Sequence, residues 1–176
     1  MRRLQRDFRL GKNIIMSFPR LDTTDLTEVR KMRNHPLVRK WMYTAKIISP
    51  QEHRSFVSGL KRSENSFYWL VKAKERCLGV IYLNRIDWEH KHAYLGIYAN
   101  PLSGSAGRGS QLLKCLTYVG FKKAGLKSIK LEVMEDNLKA IRFYRKNGFK
   151  MEGRLRAFVR SSGGWKDVYI MGLLRE

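Results

Sequence analysis

Cysteine, proline and acidic residues are scarce in this chain, and each shortage excludes a class of protein. Among 176 residues there are two cysteines, Cys77 and Cys115. They lie far apart, with no C-x-x-C and no zinc-spaced histidine beside them, so a disulfide framework, a zinc module and a catalytic thiol are not expected. Both sit in apolar contexts suited to reduced core thiols. Four prolines form no linker, and no repeat or low-complexity tract divides the chain. One domain over 1–176, with its core over about 14–174, is the default. The longest apolar runs are too short to span a bilayer. Residues 1–16 are basic but lack an apolar stretch followed by a small-residue cleavage site, so a cytoplasmic protein with no membrane partner is expected.

The 15 Asp plus Glu face 36 Lys plus Arg, a formal charge of +21. Such a field attracts polyanions. The basic residues are nevertheless spread along the whole chain and form no aromatic platform for RNA, so nucleic acid is not the expected partner. Two readings stay open: solvated surface, or steering of a small anionic substrate or cofactor such as a diphosphate. Histidine is also sparse, at four residues. His90 and His92 have no third ligand at a recognisable spacing, and no metal is expected.

The informative stretch runs over 128–149. Ile129, Leu131 and Val133 alternate with Lys130, Glu132 and Met134, the period of two of a strand. Asn137 stands at a helix N-cap, residues 138–147 are mostly helix formers, and Asn147-Gly148 supplies the stop. On that helix Asn137, Ala140 and Tyr144 share a face, which places a cap amide and a phenol beside the strand end.

Around it, the pattern predicts strands over 12–18, 67–73, 77–86 and 92–98 and a helix over 25–34 that ends before Pro36. Ser49-Pro50-Gln51-Glu52 is a capping box that opens another helix. His53, beside the apolar face of that helix, is more readily a packing residue than a ligand. Trp41-Met42-Tyr43 is either a wall for a sugar or base or a lid on the core. Gly96 inside an apolar strand marks a bulge or a close backbone approach. A bulge would free backbone amides near Ile97 for a thioester oxygen or an extended arm. The glycine-rich turn over 103–110 precedes a helix over 111–125, and amides at such a helix start hold phosphate. Strands over 149–158 and 165–174 close the chain.

Asn137, Ala140, Tyr144, Gly148 and Phe149, as N-x-x-A-x-x-x-Y-x-x-x-G-F, resemble the cofactor-side helix of the GNAT superfamily of N-acetyltransferases. Gly107 and Gly109 match that family's Q/R-x-x-G-x-G/A turn, with Gly104 in place of its Gln or Arg. The resemblance implies an α/β fold of about seven mixed strands flanked by helices and splayed at a β-bulge, and acetyl-CoA as cosubstrate with no metal. Leu95, Gly96, Ile97, Gly104, Ala106, Gly107, Arg108, Gly109, Ser110, Asn137, Phe143 and Lys146 would hold acetyl-CoA. Tyr144 would be the general acid and Glu132 the base; the alternatives are that Tyr144 only stacks against the cofactor and that Glu132 is an ordinary strand carboxylate in solvent.

R-N-H-P at 33–36, W-M-Y at 41–43, H-K-H-x-Y-L-G-I-Y-x-N-P at 90–101, L-E-V-M-E-x-N at 131–137 and E-G-R-L at 152–155 are similar to one subfamily. It acetylates the 4-amino group of UDP-4-amino-4,6-dideoxy-N-acetyl-altrosamine in the pseudaminic acid pathway, which serves flagellin glycosylation. The similarity implies that Arg33, His53, Asn84, Arg85 and Tyr98 meet the nucleotide, and that Met42, Tyr43, Phe56, Tyr94 and Met134 line the sugar. It leaves a homodimer open. Two alternatives stand beside it: an acetyltransferase for protein N-termini, and an inactive GNAT fold that binds nucleic acid.

Overall fold

The computed structural model describes residues 4–104, 107–161 and 163–176. Eight strands form one sheet in the order β1-β2-β3-β4-β5-β6-β8-β7. They are β1 (Phe8–Leu10), β2 (Asn13–Ser17), β3 (Phe67–Ala73), β4 (Arg76–Asp87), β5 (His92–Ala99), β6 (Ser128–Met134), β7 (Lys150–Ser161) and β8 (Gly164–Leu174). Every neighbouring pair is antiparallel except β5 and β6. The helices are α1 (Thr23–Asn34), α2 (Pro36–Arg39), α3 (Pro50–Leu60), α4 (Arg108–Thr117), which runs on as a π-helical turn over Tyr118–Lys123, and α5 (Leu138–Lys146).

The sequence signals act locally as physical chemistry requires. The Ser49 hydroxyl accepts the Glu52 N–H at 3.2 Å and the Glu52 carboxylate accepts the Ser49 N–H at 2.8 Å, so both halves of the capping box form at α3. His35, before proline, is extended at φ −62 and ψ 134 and ends α1. The sequence reading missed α2, where Pro36 takes the first helical position and the His35 ring accepts the Leu37 N–H at 3.2 Å. It also missed β1. A three-residue strand carries no measurable period, yet it buries Phe8 with its ring 6.4 Å from that of Trp69.

The two faces of the sheet bury separate clusters. Val29, Met32, Val57 and Leu60 of α1 and α3 cover Leu70, Cys77 and Val80 on one face. On the other, Leu112, Leu113, Cys115 and Leu116 of α4 and Ile141 and Tyr144 of α5 pack on Trp69, Ile81, Leu95 and Leu131. Burying each such side chain contributes about 1.5–3 kcal/mol. Among the described residues no helix is long and apolar enough to cross a membrane.

Candidate active site

The site arises where two strands part. β5 and β6 pair only from His92↔Ser128 to Tyr94↔Lys130. Beyond that point β5 stays bonded to β4 as far as Ala99, and β6 stays bonded to β8 as far as Met134. A cleft opens between them. Backbone groups of β5 that face it have no strand partner among the described residues and can bond an extended ligand. The expected splay is present, but Gly96 is not its bulge. From Gly79↔Ala99 to Asn84↔Tyr94 the register with β4 is unbroken, and the irregularity falls at Arg85, whose φ is +50. Gly96 answers instead to close approach, because a Cβ there would lie 1.8 Å from Tyr82 Cζ.

At the floor of the cleft, Gly107 with φ +76 starts α4. The amides of Arg108, Gly109 and Ser110 occupy the first turn, where no intrahelical acceptor exists, and the helix dipole adds partial positive charge. Phe143 of α5 packs so close to Gly109 that a Cβ there would be 3.3 Å from its ring. The Arg108 guanidinium donates to the Asn100 carbonyl at the end of β5, tying that strand to α4. This combination of loose β5 edge and amide-rich helix start fits acetyl-CoA: the amides would hold its diphosphate and the β5 edge its pantetheine arm.

A cavity of ≈ 390 Å³ occupies the cleft and is bounded by β5, the end of β6 and α5. Tyr144 lines it and is 9% exposed, with Phe143 and Phe149 each 5.2 Å away, centroid to centroid. Burial, with Tyr82 nearby, raises its phenol well above the ordinary range, so it holds its proton at neutral pH. The Asn137 side chain accepts the Ala140 N–H at 3.2 Å as the cap of α5.

A second cavity of ≈ 850 Å³ adjoins the first, and Trp41, Met42, Tyr43, Tyr82, Leu95 and Glu132 line both. At this junction Glu132 accepts the Tyr43 hydroxyl at 2.7 Å and pairs with Arg85 at 2.7 Å. The Arg85 guanidinium also lies 3.6 Å from the centroid of the Tyr94 ring. Arg33 donates to the Thr44 carbonyl at 3.2 Å, while its Nη1 is buried without a partner among the described residues. Burial lowers the Arg33 pKa.

The acetyltransferase (GNAT) domain family matches residues 20–170. The chain belongs to this family. It is an acetyl-CoA-dependent N-acetyltransferase. Acetyltransferase PseH of Campylobacter jejuni is 30% identical over 135 residues, covering 77% of this chain and 83% of that protein. The spermidine N(1)-acetyltransferase of Escherichia coli is 25% identical over 156 residues, covering 89% and 84%. A spermidine N-acetyltransferase from Vibrio cholerae, solved with CoA and spermine, superposes with a TM-score of 0.84 at 22% identity over 94% of this chain and 96% of that one. Campylobacter jejuni PseH superposes with a TM-score of 0.73 at 23% identity over 94% and 100%.

Within this acetyltransferase most of the anticipated residues converge. Leu95, Gly96, Ile97, Arg108, Asn137 and Tyr144 line the first cavity, the half expected to take the cofactor. Arg33, Asn84, Arg85 and Tyr94 line the second, the half expected to take the acceptor, and Met42, Tyr43 and Glu132 border both, whereas Tyr98, expected at the nucleotide, borders only the first. Met134 borders the first cavity rather than the acceptor half. His53 and Phe56 line neither cavity. His53 is buried on α3, 6.5 Å from both Phe18 and Phe56, with its pKa lowered by burial and then by Arg30. Phe56 meets Tyr68, which stacks on Tyr82 at 4.6 Å, so the two form the back of the wall. Gly104 borders a separate cavity of ≈ 470 Å³ near Cys77 and Asn100. Lys146 is exposed on the last turn of α5, and Ala106 lies outside the described residues. Sequence reasoning missed Tyr82, Phe158, Arg160 and Trp165. Only the opposition of Tyr82 to Gly96 could have flagged the first, and the others depend on how β7 and β8 pair.

Proposed function

We propose that this chain acetylates the 4-amino group of a UDP-linked 4-amino-4,6-dideoxy-N-acetyl-altrosamine in the pseudaminic acid pathway. The amine nitrogen attacks the thioester carbonyl, the C–N bond forms, the C–S bond breaks, and the departing sulfur takes the Tyr144 proton. Glu132 receives the proton that the amine must shed, directly or through water.

One observation carries this reading: the charge of the acceptor half. Arg33, Arg85 and Arg160 line it against Glu132, and Glu132 is already paired with Arg85 at 2.7 Å. A polyamine would bring its ammonium groups among three guanidiniums, which repel them. A phosphate-bearing amine is drawn in. The unpartnered Nη1 of Arg33 favours the same class, because a buried cation with a free donor gains most from an anion.

The test is thiol release from acetyl-CoA with the purified protein offered the UDP-4-amino sugar, spermidine or a basic N-terminal peptide. Turnover with the nucleotide sugar and not the others is expected. Turnover with spermidine or the peptide in its place would overturn the reading.

A further inference from the structure

The hairpin of β7 and β8 carries a feature that the acetyl transfer itself does not require. Leu155 pairs with Val168 and Val159 with Lys166, so Arg156, Ala157 and Phe158 together face Asp167, two residues more than a regular ladder holds. Ala157 sits at φ +48, and its N–H is accepted by Asp167 at 2.8 Å, while Arg154 donates to the other oxygen of that carboxylate at 2.5 Å. A non-glycine residue in this region costs on the order of 1 kcal/mol and persists only where its surroundings fix it. The Asp167 carboxylate fixes it here.

The result of the bulge is a wall. Phe158 meets Tyr43 edge to face at 5.9 Å, and Arg160 and Trp165, paired across the hairpin, border the acceptor cavity with it. Trp165 is 63% exposed, a costly placement for an indole unless something covers it. Arg160 makes no ion pair among the described residues, whereas Arg154 on the same strand is paired with Asp167 and Glu135. An unpaired guanidinium beside an uncovered indole at a cavity mouth is the chemistry that holds a nucleoside phosphate: the base stacks on the ring and the arginine pairs with the phosphate.

We propose that the β7–β8 hairpin is the acceptor-recognition element, with Trp165 stacking on the base and Arg160 pairing with a phosphate of a nucleoside diphosphate. This rests on the nucleotide-sugar reading, and the test separates the two. UDP alone is titrated calorimetrically into the full chain and into W165A, W165F and R160Q. W165A and R160Q are each expected to weaken UDP about tenfold, within the range for losing one base–aromatic stack or one hydrogen bond to a charged group. W165F should recover most of the affinity, and acetyl-CoA affinity should be the same in all four.

Equal UDP affinity in all four proteins, or no UDP binding by the parent chain, overturns the hairpin assignment. So does W165A altering only the oligomeric mass by sedimentation, which would make the indole a contact between copies. Failure to turn over the UDP-4-amino sugar, with UDP binding and its loss in W165A intact, overturns instead the sugar as the substrate and leaves the hairpin's role standing.

Discussion

The ring of Tyr82 occupies the space that a side chain on Gly96 would need. The two residues are directly opposite across β4 and β5, and a Cβ on Gly96 would lie 1.8 Å from Tyr82 Cζ and 2.1 Å from its hydroxyl. Tyr82 is in turn stacked on Tyr68 at 4.6 Å and lines both halves of the active site. Gly96→Ala should therefore drive the phenol off the wall, at the about 1–3 kcal/mol typical of overpacking. A lowered melting temperature by calorimetry and reduced acetyl transfer are expected. A second change, Tyr82→Leu, should recover stability but not activity. A Gly96→Ala variant as stable and active as its parent would sink this account.

How much of this was legible beforehand follows the range of the interactions. The cap at Asn137, the capping box at Ser49 and Glu52, and the stop before Pro36 each act within one helical turn, and the sequence shows them. The alternation of Ile129, Leu131 and Val133 likewise fixes which face of β6 is buried. Gly96 was legible as an exception but not as to its cause, because Tyr82 is brought opposite it by strand pairing alone. The bulge sits instead at Arg85, a residue type that carries no turn signal. His53 and Phe56 were assigned by resemblance to the ligand, yet the apolar pattern of α3 already favoured the packing role that the structure gives to His53. Phe158, Arg160 and Trp165 reach the site through a two-residue irregularity that no local pattern announces.

In the proposed reaction Tyr144, which lines the first cavity, protonates the departing thiolate. Its phenol is buried, so its pKa is raised and the acid form persists through neutral and mildly alkaline pH. Tyr144→Phe keeps the ring contacts with Phe143 and Phe149 and removes only the proton. Turnover should fall on the order of 10²-fold, the usual scale for losing a general acid, with the KM for acetyl-CoA little changed. Steady-state kinetics on the parent chain and the variant check it. Unchanged turnover would remove Tyr144 from the chemistry.

The same burial argument applies to the thiols, which matter because thiol release is the assay. Burial raises Cys77 to about 12 and Cys115 to about 11. The reactive species is the thiolate, and at pH 8 roughly one part in a thousand of Cys115 would be ionised by the Henderson relation about such a pKa. The folded chain should give no rapid reaction with a chromogenic disulfide reagent, and two thiols per chain should appear on unfolding in guanidinium. Fast reaction of either thiol in the folded protein would contradict its burial, with Cys77 packed 3.8 Å from the Met32 sulfur and Cys115 of α4 closed off in the core.

Glu132 binds two side chains that come from opposite walls, Tyr43 from the connection after α2 and Arg85 from the bulge of β4, each at 2.7 Å. As the proposed proton acceptor, Glu132 is most basic with one of these donors withdrawn, and the phenol is the cheaper to release, since breaking the Arg85 pair leaves a charge uncompensated. Two substitutions then separate positioning from chemistry. Glu132→Gln keeps the shape, loses the charge, and should lower turnover on the order of 10²-fold or more across the pH range. Tyr43→Phe frees the carboxylate oxygen and loosens the connection, so its main effect should be a raised KM for the acceptor with turnover retained within a few-fold, as expected when an interaction serves binding more than the transition state. The pH dependence of turnover and of the acceptor KM in both variants provides the measurement. A Tyr43→Phe variant that loses turnover as fully as Glu132→Gln would make the hydroxyl part of the proton path and not a latch.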